Sequence, residues 1–489
     1  MGFVNQNNRK MMMTKKYLIY FSLLCLSTFI YACKDNWEAH NEVQNIDQTQ
    51  DLSQKLATQA NLSTFNGYVK TTGFDKILAN SQNYTVWAPT NTALATLDQT
   101  IVADPAKLKD FVANHIALTT YPISKNQDTV RVKLLNNKYA NLVANQFEEA
   151  TITGEGMFVK NGVLHTIDQA LPTKASIWDY MLNSGDAPLQ RDFIKNLSIT
   201  VIDSANATVI GYNANGSPIF APNPPTVARN TYWVNVADLR DEKQEYTYFM
   251  LQDNVLTSEA EKLNTYFPSI EPNLSANYFV VKDLTVKGVY AKDKLPDTLL
   301  SVLGVKVPIN KVNVVKTYKA SNGIVHVLSA LPFRLKDKVP EFKIEGERPI
   351  SFSATRTVSY RTKADSLGKQ FNDIQVYDHR YAEYGVFYMK RNLPVVKYKV
   401  YARAIWGMRG DPQDRNFTQR YFFYNPTTLS YTLFYTHLVL PLTFTEVYCG
   451  EYTPAEFGNL QFRLTAANST GINVSTLTLD YLRFEPVLP

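Results

Sequence analysis

The 489-residue sequence has few features of known catalytic machinery. It contains no G-x-S-x-G, no H-E-x-x-H, no phosphate-binding loop and no G-x-G-x-x-G beside a predicted strand. Histidine is scarce, and of its six residues only His379, next to Asp378, lies in a polar segment. Because no nucleophile accompanies this pair, we predict that the protein is not an enzyme. Paired carboxylates as in glycosidases stay open, since they need only be close in space.

Charge of one sign is also scarce once the first 32 residues are set aside. They hold four of the 50 Lys and Arg and none of the 44 Asp and Glu, which leaves 46 basic against 44 acidic residues. No basic stripe with interleaved aromatic residues occurs in the rest of the chain. We therefore predict no nucleic-acid partner.

Near the N terminus, a positive region from Arg9 to Lys16 precedes an apolar run at residues 17–32. The run is short for a membrane-spanning helix and typical of a secretory signal. It ends in Ile30-Tyr31-Ala32-Cys33, which resembles a bacterial lipobox. The resemblance implies a lipoprotein signal peptide at residues 1–32, lipid on Cys33 and a tether at residues 33–50. An ordinary signal peptide or an uncleaved anchor is the alternative.

Acidic residues soon after Cys33, at Asp35 and Glu38, resemble the export signal of surface lipoproteins in Bacteroidetes-type bacteria. We expect the protein to be attached to the outer membrane through this lipid and to be exposed on the cell surface. An anchor that faces the periplasm is the alternative.

Cysteine is scarce as well, with three residues. In the lipoprotein interpretation Cys25 leaves with the signal peptide and Cys33 carries lipid, so Cys449 remains alone and the mature protein has no disulfide. Each domain must then be stabilised by burial of its own core. We predict that Cys449 lies in a buried strand.

A short segment occurs twice: NGVLHTIDQALP at residues 161–172 returns as NGIVHVLSALP at residues 322–332. Asn-Gly predicts a tight turn, because both residues tolerate positive φ, and the aliphatic residues after it predict a strand. Since a catalytic site rarely needs two copies of itself, the repeat indicates a folding unit used twice. His165 and His326 have no second ligand at metal-binding spacing, so we predict structural histidines and no metal.

Two further segments precede the first copy. Tyr84 to Ala88 is predicted to be a buried strand that Pro89 ends, with Thr90 or Asn91 as the cap of a helix. His115 is predicted to lie in a helix.

These segments together resemble the fasciclin family. Residues 85–91 resemble its first box, residues 114–115 its central His box, and residues 161–168 its final box. We therefore predict a fasciclin-like α+β domain at residues 51–174. The resemblance implies a module for adhesion or interaction that has neither catalytic residues nor cofactors.

The second copy is less faithful, and we predict a divergent fasciclin-like domain at residues 175–337. Phe249 stands where Trp87 stood, and His115 has no counterpart. Asp253 is expected to cap a helix, and Ser258 with Glu261 has capping-box spacing. An insertion at about 200–245 is predicted to be a surface loop or an added hairpin, and it is either a binding element or a tolerated loop.

Residues 338–489 show a different pattern. Residues 395–407 alternate strictly, with Val396 to Trp406 on one face, and the same pattern returns at Leu460 to Leu464 and at the C terminus. This predicts an antiparallel β-sandwich. Residues 479–484 resemble the final strand of galactose-binding-like sandwiches, a fold common in carbohydrate-binding modules.

Sugar sites on such folds stack aromatic faces on pyranose rings. The candidate ligand-binding residues are Tyr377, Tyr384, Tyr401, Trp406, Arg409, Asp411 and Asp414. Trp406 falls on the face that the alternation assigns to the core, which is its alternative role. Asp411 and Asp414 are either calcium ligands or solvated carboxylates.

The predicted fold class is multidomain α+β and all-β: two fasciclin-like α+β domains followed by an antiparallel β-sandwich. The predicted function is that of a non-catalytic cell-surface lipoprotein, accessory to an outer-membrane nutrient transporter, that binds an extracellular ligand, with glycan favoured. The alternative is an adhesin that attaches cells to host matrix or to each other through its fasciclin-like domains.

Overall fold

The computed structural model describes residues 49–123, 127–353, 357–377, 384–411, 416–467 and 476–489. The predicted signal peptide, Cys33, most of the tether, Asp378, His379 and Asp414 lie outside these ranges. The chain divides into two compact units, one up to Thr173 and the other Lys174–Pro489. Within the described ranges no helix has the length and apolar character needed to cross a membrane.

The first unit is an α+β domain with one seven-stranded sheet. Its strands are β1 Tyr84–Pro89, β2 Ile116–Leu118, β3 Val130–Lys133, β4 Tyr139–Val143, β5 Gln146–Phe147, β6 Ala150–Val159 and β7 Gly162–Ile167. Its helices are α1 Leu52–Ala57, α2 Ser63–Thr71, α3 Phe74–Leu78, α4 Asn91–Leu94, α5 Gln99–Ala103 and α6 Pro105–Ala113, with a 3-10 turn at Ala60–Leu62.

The sheet of the first unit has the order β2-β1-β7-β6-β5-β4-β3, and among these described strands only β1 and β7 run parallel. One core cluster contains Val86 and Leu164 together with the helices, and a second contains Trp87 and Ile167. Because successive side chains of a strand point to opposite faces, β1 and β7 are buried on both faces of the sheet.

The transition from β1 to α4 follows the sequence prediction, because Thr90 Oγ1 accepts a hydrogen bond from Ala93 N at 3.1 Å. The prediction for His115 was wrong: α6 ends at Ala113, and His115 lies between this helix and β2. The chain leaves the helix here because the backbone pairs with β1, where Trp87 N donates to His115 O at 2.9 Å.

The second unit begins with another α+β domain. Its strands are β8 Ser198–Ile202, β9 Val209–Tyr212, β10 Pro218–Phe220, β11 Thr226–Asn230, β12 Tyr246–Leu251, β13 Thr285–Lys287, β14 Thr298–Leu300, β15 Lys306–Pro308, β16 Val314–Ala320 and β17 Gly323–Leu328. Its helices are α7 Ile177–Asn183, α8 Pro188–Lys195, α9 Thr231–Asn235, α10 Asp253–Asn264 and α11 Ala276–Val281, with 3-10 turns at Pro272–Leu274, Lys292–Lys294 and Lys311–Asn313.

The two α+β domains match in register. In the first, the parallel pair β1 and β7 places Trp87 opposite His165. In the second, the parallel pair β12 and β17 places Phe249 opposite His326, within a sheet of order β13-β12-β17-β16. Each final box is therefore an interior strand beside the first box, which confirms the predicted pair of fasciclin-like folds.

The Asn-Gly turns differ in detail from the expectation. Among the described residues with positive φ are Gly162 at +145° and Gly323 at +143°, but not Asn161 or Asn322. The asparagines are buried, and their side chains bond to distant backbone. Asn161 accepts from Leu52 N at 2.9 Å and donates to Leu78 O at 2.8 Å. Asn322 does the same with Ile177 N and Leu239 O. The Asn therefore links the turn to the helical layer.

The insertion in the second domain forms two stacked hairpins, which we call the arm (residues 198–230). Strand β8 pairs with β11, and β9 pairs with β10 nearer the tip. The arm ends earlier than the predicted limit near 245, because residues 231–235 form α9. Tyr232 of this helix is buried, and its hydroxyl lies 2.9 Å from Thr285 Oγ1.

Helix α10 begins directly at Asp253 without a side-chain cap. The predicted capping box is absent because Ser258 and Glu261 lie inside the helix. The carboxylate of Asp253 instead accepts from Leu189 N at 3.0 Å, near the start of α8. The helix cannot begin before Asp253 because Gln252 N still bonds to Leu328 O of the sheet.

The second unit ends in a β-sandwich. Helix α12 Leu335–Lys338 leads into strands β18 Phe342–Glu345, β19 Ser351–Phe352, β20 Val358–Ala364, β21 Gln370–Val376, β22 Gly385–Leu393, β23 Tyr398–Arg403, β24 Phe417–Asn425, β25 Ser430–Val439, β26 Val447–Tyr452, β27 Gly458–Ala466, β28 Leu477–Leu479 and β29 Tyr481–Pro486.

The strands that the structure describes in the sandwich all pair antiparallel. The sheets have the orders β18-β29-β23-β26, β19-β22-β27-β24-β25 and β20-β21-β28. The alternating residues between Val396 and Trp406 are all buried, as are Leu460, Phe462 and Leu464. The sandwich predicted from the alternation is confirmed.

The sandwich and the second fasciclin-like domain share a core within the second unit. Phe457 packs edge-on against Phe267 and Phe279, with ring centroids 5.6 and 6.0 Å apart. Val395 N donates to Tyr266 O at 3.0 Å. The two folds therefore form one packed body.

Candidate ligand site

The structure brings Trp406, Tyr377 and Asp411 close together, but it buries Trp406 and the Asp411 carboxylate. Trp406 is fully buried, and its ring packs edge-on against Phe417 at 5.3 Å in a small cluster that Tyr377 also touches. Tyr384 is only 2% exposed. Neither Trp406 nor Tyr384 offers an open face to a sugar ring, so the core alternative holds for Trp406.

Asp411 lies in a buried ion network rather than in an open loop. Its carboxylate accepts from Arg361 Nη1 at 2.7 Å, from Met408 N at 2.9 Å and from Lys363. Arg361 also binds Asp373 and is 11% exposed. With its charge balanced by two cations, this carboxylate has no need of calcium. Arg409 is exposed, and Asp414 lies outside the described residues.

Tyr401 lies on the outer face of the four-stranded sheet. Its ring is 5.4 Å from that of Tyr448, which is 51% exposed, and the Arg483 guanidinium lies 4.2 Å from the Tyr401 centroid. Arg483 in turn bonds to Glu446 at 2.7 Å. Since Arg483 covers Tyr401, the exposed ring on this face is that of Tyr448.

An aromatic pocket opens instead between the edge strands of the two large sheets, β25 and β26. This cavity of about 210 Å³ is the mouth pocket, lined by Phe423, Phe434 and Tyr452 among others. The Phe423 centroid lies 4.8 Å from that of Phe434 and 4.4 Å from that of Tyr452. Three rings from three strands therefore form its walls.

A β-bulge lies in β26, next to the strand residue Tyr452 that lines the mouth pocket. The register between β23 and β26 shifts so that Val400 faces Gly450 and Tyr401 faces Tyr448, which leaves Cys449 as the extra residue. Gly450 has φ +128°, and a Cβ there would touch Phe434 Cζ at 3.6 Å. A residue with a side chain would be strained at this positive φ, so the bulge favours glycine beside the Phe434 ring.

The rim of the mouth pocket carries neutral polar groups. Asn425, Thr432 and Thr453 lie there beside the aromatic walls. The Asn425 side chain is held by a hydrogen bond from Thr427 N at 2.9 Å, in the turn between β24 and β25. Aromatic walls with a few fixed hydroxyl and amide groups are typical of sites for small polar ligands.

Sequence reasoning missed the mouth pocket. The alternation in β24 marks Tyr421 and Phe423 as inward-facing, and this was the available signal. Nothing local shows that β25 and β26 lie at the edges of two different sheets.

The described histidines are engaged in the fold. His115 Nδ1 bonds to Phe111 O, His165 Nε2 to Tyr121 O and His326 Nε2 to Tyr290 O, each at 2.8 Å. Burial lowers the pKa of His115 to about 4, and it also lowers the pKa of His437 to about 4. Within the described ranges no group of three or more His, Cys, Asp or Glu is arranged to hold a metal ion.

Comparison with known proteins identifies one domain. The fasciclin domain family model matches residues 60–173, so the first unit carries a fasciclin domain. No curated protein matches the chain.

Several solved structures are similar to parts of the chain. The FAS1 domain pair of the insect cell adhesion molecule Fasciclin I has 16% identity and a TM-score of 0.23, over 57% of this chain and 99% of that one. The CBM22-1 xylan-binding domain of Paenibacillus barcinonensis Xyn10C has 12% identity and a TM-score of 0.21, over 30% and 95%. The Podospora anserina GH26-CBM35 β-(1,4)-mannanase has 12% identity and a TM-score of 0.21, over 30% and 28%. Likeness at this level carries no functional argument.

Proposed function

We propose that the protein is a non-catalytic, lipid-anchored surface protein that captures glycan through its C-terminal sandwich. The mouth pocket is the observation that carries this proposal. In this view the protein is an accessory to an outer-membrane nutrient transporter and holds substrate near the membrane.

The chemistry of the mouth pocket fits a sugar ring. A pyranose has apolar C–H faces and equatorial hydroxyl groups, so it pairs with aromatic walls and a hydroxyl or amide rim. Phe434 and Tyr452 supply the walls, and Asn425 and Thr453 supply the rim. Because these residues come from paired strands over a packed core, the site needs little ordering when a ligand binds.

The proposal is tested by affinity electrophoresis of the full chain in detergent through gels that contain soluble glycans. We expect retardation by at least one glycan. Phe434→Leu keeps the apolar volume but removes the aromatic face, so it is expected to weaken binding roughly five-fold. The matched control is Tyr448→Leu, which removes an exposed ring from the outer face. Equal binding by Phe434→Leu and the parent would place the site elsewhere.

The anchor is tested separately. We expect Cys33→Ala to abolish metabolic labelling with a radiolabelled fatty acid, and Cys25→Ala to leave it unchanged. Labelling that persists in Cys33→Ala would refute the lipidation site.

Adhesion is the second candidate, and the arm favours it. Seven large apolar side chains of the arm are exposed: Ile199, Ile202, Val209, Ile210, Tyr212, Ile219 and Val227. These side chains lie on both faces of the strands of the arm, and exposed apolar surface often marks a protein interface. If the protein is an adhesin, Ile210→Asp with Ile219→Asp will reduce cell attachment to matrix-coated surfaces, and Phe434→Leu will not.

A further inference from the structure

We infer that the mouth pocket takes a single uncharged sugar ring and rejects uronic acids and other anionic sugars. This inference rests on the proposed function and specifies its ligand class.

The electrostatics of the lining support the inference. The ten residues that line the pocket include no Asp, Glu, Lys, Arg or His. A carboxylate that entered would lose water and find no cation, and burying an unpaired charge is strongly unfavourable. The aromatic walls also disfavour an anion, because ring faces carry partial negative charge.

The nearby charges of β26 point away from the pocket. Tyr452 lines the cavity, whereas its neighbour Glu451 pairs with Lys397 at 2.9 Å. Glu446, near the start of the same strand, pairs with Arg483 on the outer face. Glu451 and Glu446 are therefore paired with cations outside the lining of the cavity.

The volume supports one ring rather than several. Pockets for drug-sized ligands measure roughly 300–1,000 Å³, and the mouth pocket has about 210 Å³. One ring fills such a cavity, and the rest of a glycan chain extends past the exposed side chains of Thr432 and Thr453.

The test compares matched polymers on the full chain in detergent. Galactan, mannan and glucan are each used in native form and after oxidation of the primary alcohol to a carboxylate. We expect the oxidised form of any polymer that binds to bind at least ten-fold more weakly, and the difference to shrink when the pH is lowered to protonate the uronate.

A charge-gain variant sharpens the test. Thr453 is exposed at the rim, so Thr453→Lys should fold normally and supply the missing cation. We expect it to increase binding of the oxidised polymers several-fold, and this gain to disappear at high salt. Thr453→Gln is the neutral control and should show no gain.

The outcomes separate the inference from the proposed function. If no polymer binds, glycan capture itself fails. If native and oxidised forms bind equally and Phe434→Leu weakens both, the pocket binds glycan but the restriction to uncharged rings is wrong. The inference is supported if the parent binds the oxidised polymers weakly and if Thr453→Lys, but not Thr453→Gln, binds them more tightly.

Discussion

The first and second fasciclin-like domains share the Asn-Gly turn before their final strand. They differ in a buried polar residue at the end of a neighbouring helix. Asn161 and Asn322 make equivalent hydrogen bonds to the helical layer. Thr85 and Thr247 bridge equivalent backbone groups, donating to Thr119 O at 2.7 Å and to Gly288 O at 2.8 Å. These positions agree because the parallel register of the two central strands leaves one geometry for the turn.

The difference lies at the end of the neighbouring helix. Trp87 N donates to His115 O in the first domain, and Phe249 N donates to Leu284 O in the second. Leu284 is therefore the counterpart of His115, which sequence comparison alone did not find. A buried histidine can thus be replaced by leucine at this position, provided that the polar groups around the side chain find other hydrogen-bond partners.

A buried ion pair lies beside this position in the second domain. Asp283, which precedes Leu284, accepts from Lys338 Nζ at 2.6 Å, and both side chains are buried. Lys338 also donates to Phe279 O at 2.8 Å, and its ammonium lies 3.5 Å from the Phe333 ring centroid. Since Lys338 belongs to α12, the linker to the sandwich contributes a buried cation to Asp283, the residue before Leu284.

The largest effect is expected from Gly162→Ala and Gly323→Ala, which test whether the shared turn is equally strict in both domains. A Cβ would lie 1.9 Å from Tyr84 O or from Tyr246 O. Each change should destabilise its own unit by roughly 4 kcal/mol or more, measured as loss of one calorimetric transition. Gly67→Ala is the control, since its added Cβ meets no atom within 4 Å. Normal melting of either turn variant would contradict the close packing.

Next in size is Lys338→Met, which tests the ion pair peculiar to the second domain. It leaves the Asp283 carboxylate buried without its cation, so the second unit should lose about 3–5 kcal/mol of unfolding free energy. Adding Asp283→Asn should restore part of the loss, because the unpaired charge is then gone. Chemical denaturation of both variants measures this, and a double variant less stable than Lys338→Met would argue against the pair.

The pH dependence of the first unit comes third. The folded pKa of His115 is about 4 against an ordinary 6.5. Below pH 6.5 the unfolded chain binds a proton that the folded domain excludes, so stability falls until pH 4, by about 3 kcal/mol. Burial also lowers the pKa of His165, which adds in the same direction.

His115→Leu copies the second domain at this position. At pH 7.5 it should be less stable than the parent by about 1–3 kcal/mol, because Leu171 N loses its acceptor in the core. The difference in unfolding free energy between the parent and His115→Leu should narrow as pH falls from 6.5 to 4. Melting of the first unit across this range measures it, and a constant difference would show that His115 does not titrate as described.

The smallest effects are expected from Thr85→Val and Thr247→Val. Each change removes a hydroxyl that donates to one backbone carbonyl and accepts from one backbone N–H. The Thr85 hydroxyl accepts from Tyr121 N at 2.8 Å, and the Thr247 hydroxyl accepts from Tyr290 N at 2.9 Å. Each unit should lose about 1–3 kcal/mol, and the two losses should agree within about 0.5 kcal/mol. Unequal losses in denaturant titrations would show that the domains use this bridge differently.

Local patterns predicted much of the fold. Three features depend on neighbours in sequence and lie where they were predicted: the Asn-Gly boxes, the strand at Tyr84 and the alternation around Tyr398. The end of α6 before His115, and the bond from Leu189 N to Asp253, depend on partners far along the chain. The mouth pocket also depends on distant partners, because Phe423, Phe434 and Tyr452 meet only after β25 and β26 become the edges of two different sheets.

The shared core of the second unit has a mechanical consequence. Tension applied to the sandwich is transmitted into the second fasciclin-like domain through Phe457 and the α12 linker. To separate the two folds, several aromatic rings and the Lys338 ammonium must leave their buried positions together. Extending a flexible linker is not enough. The sandwich and the domain before it will therefore resist pulling as one element.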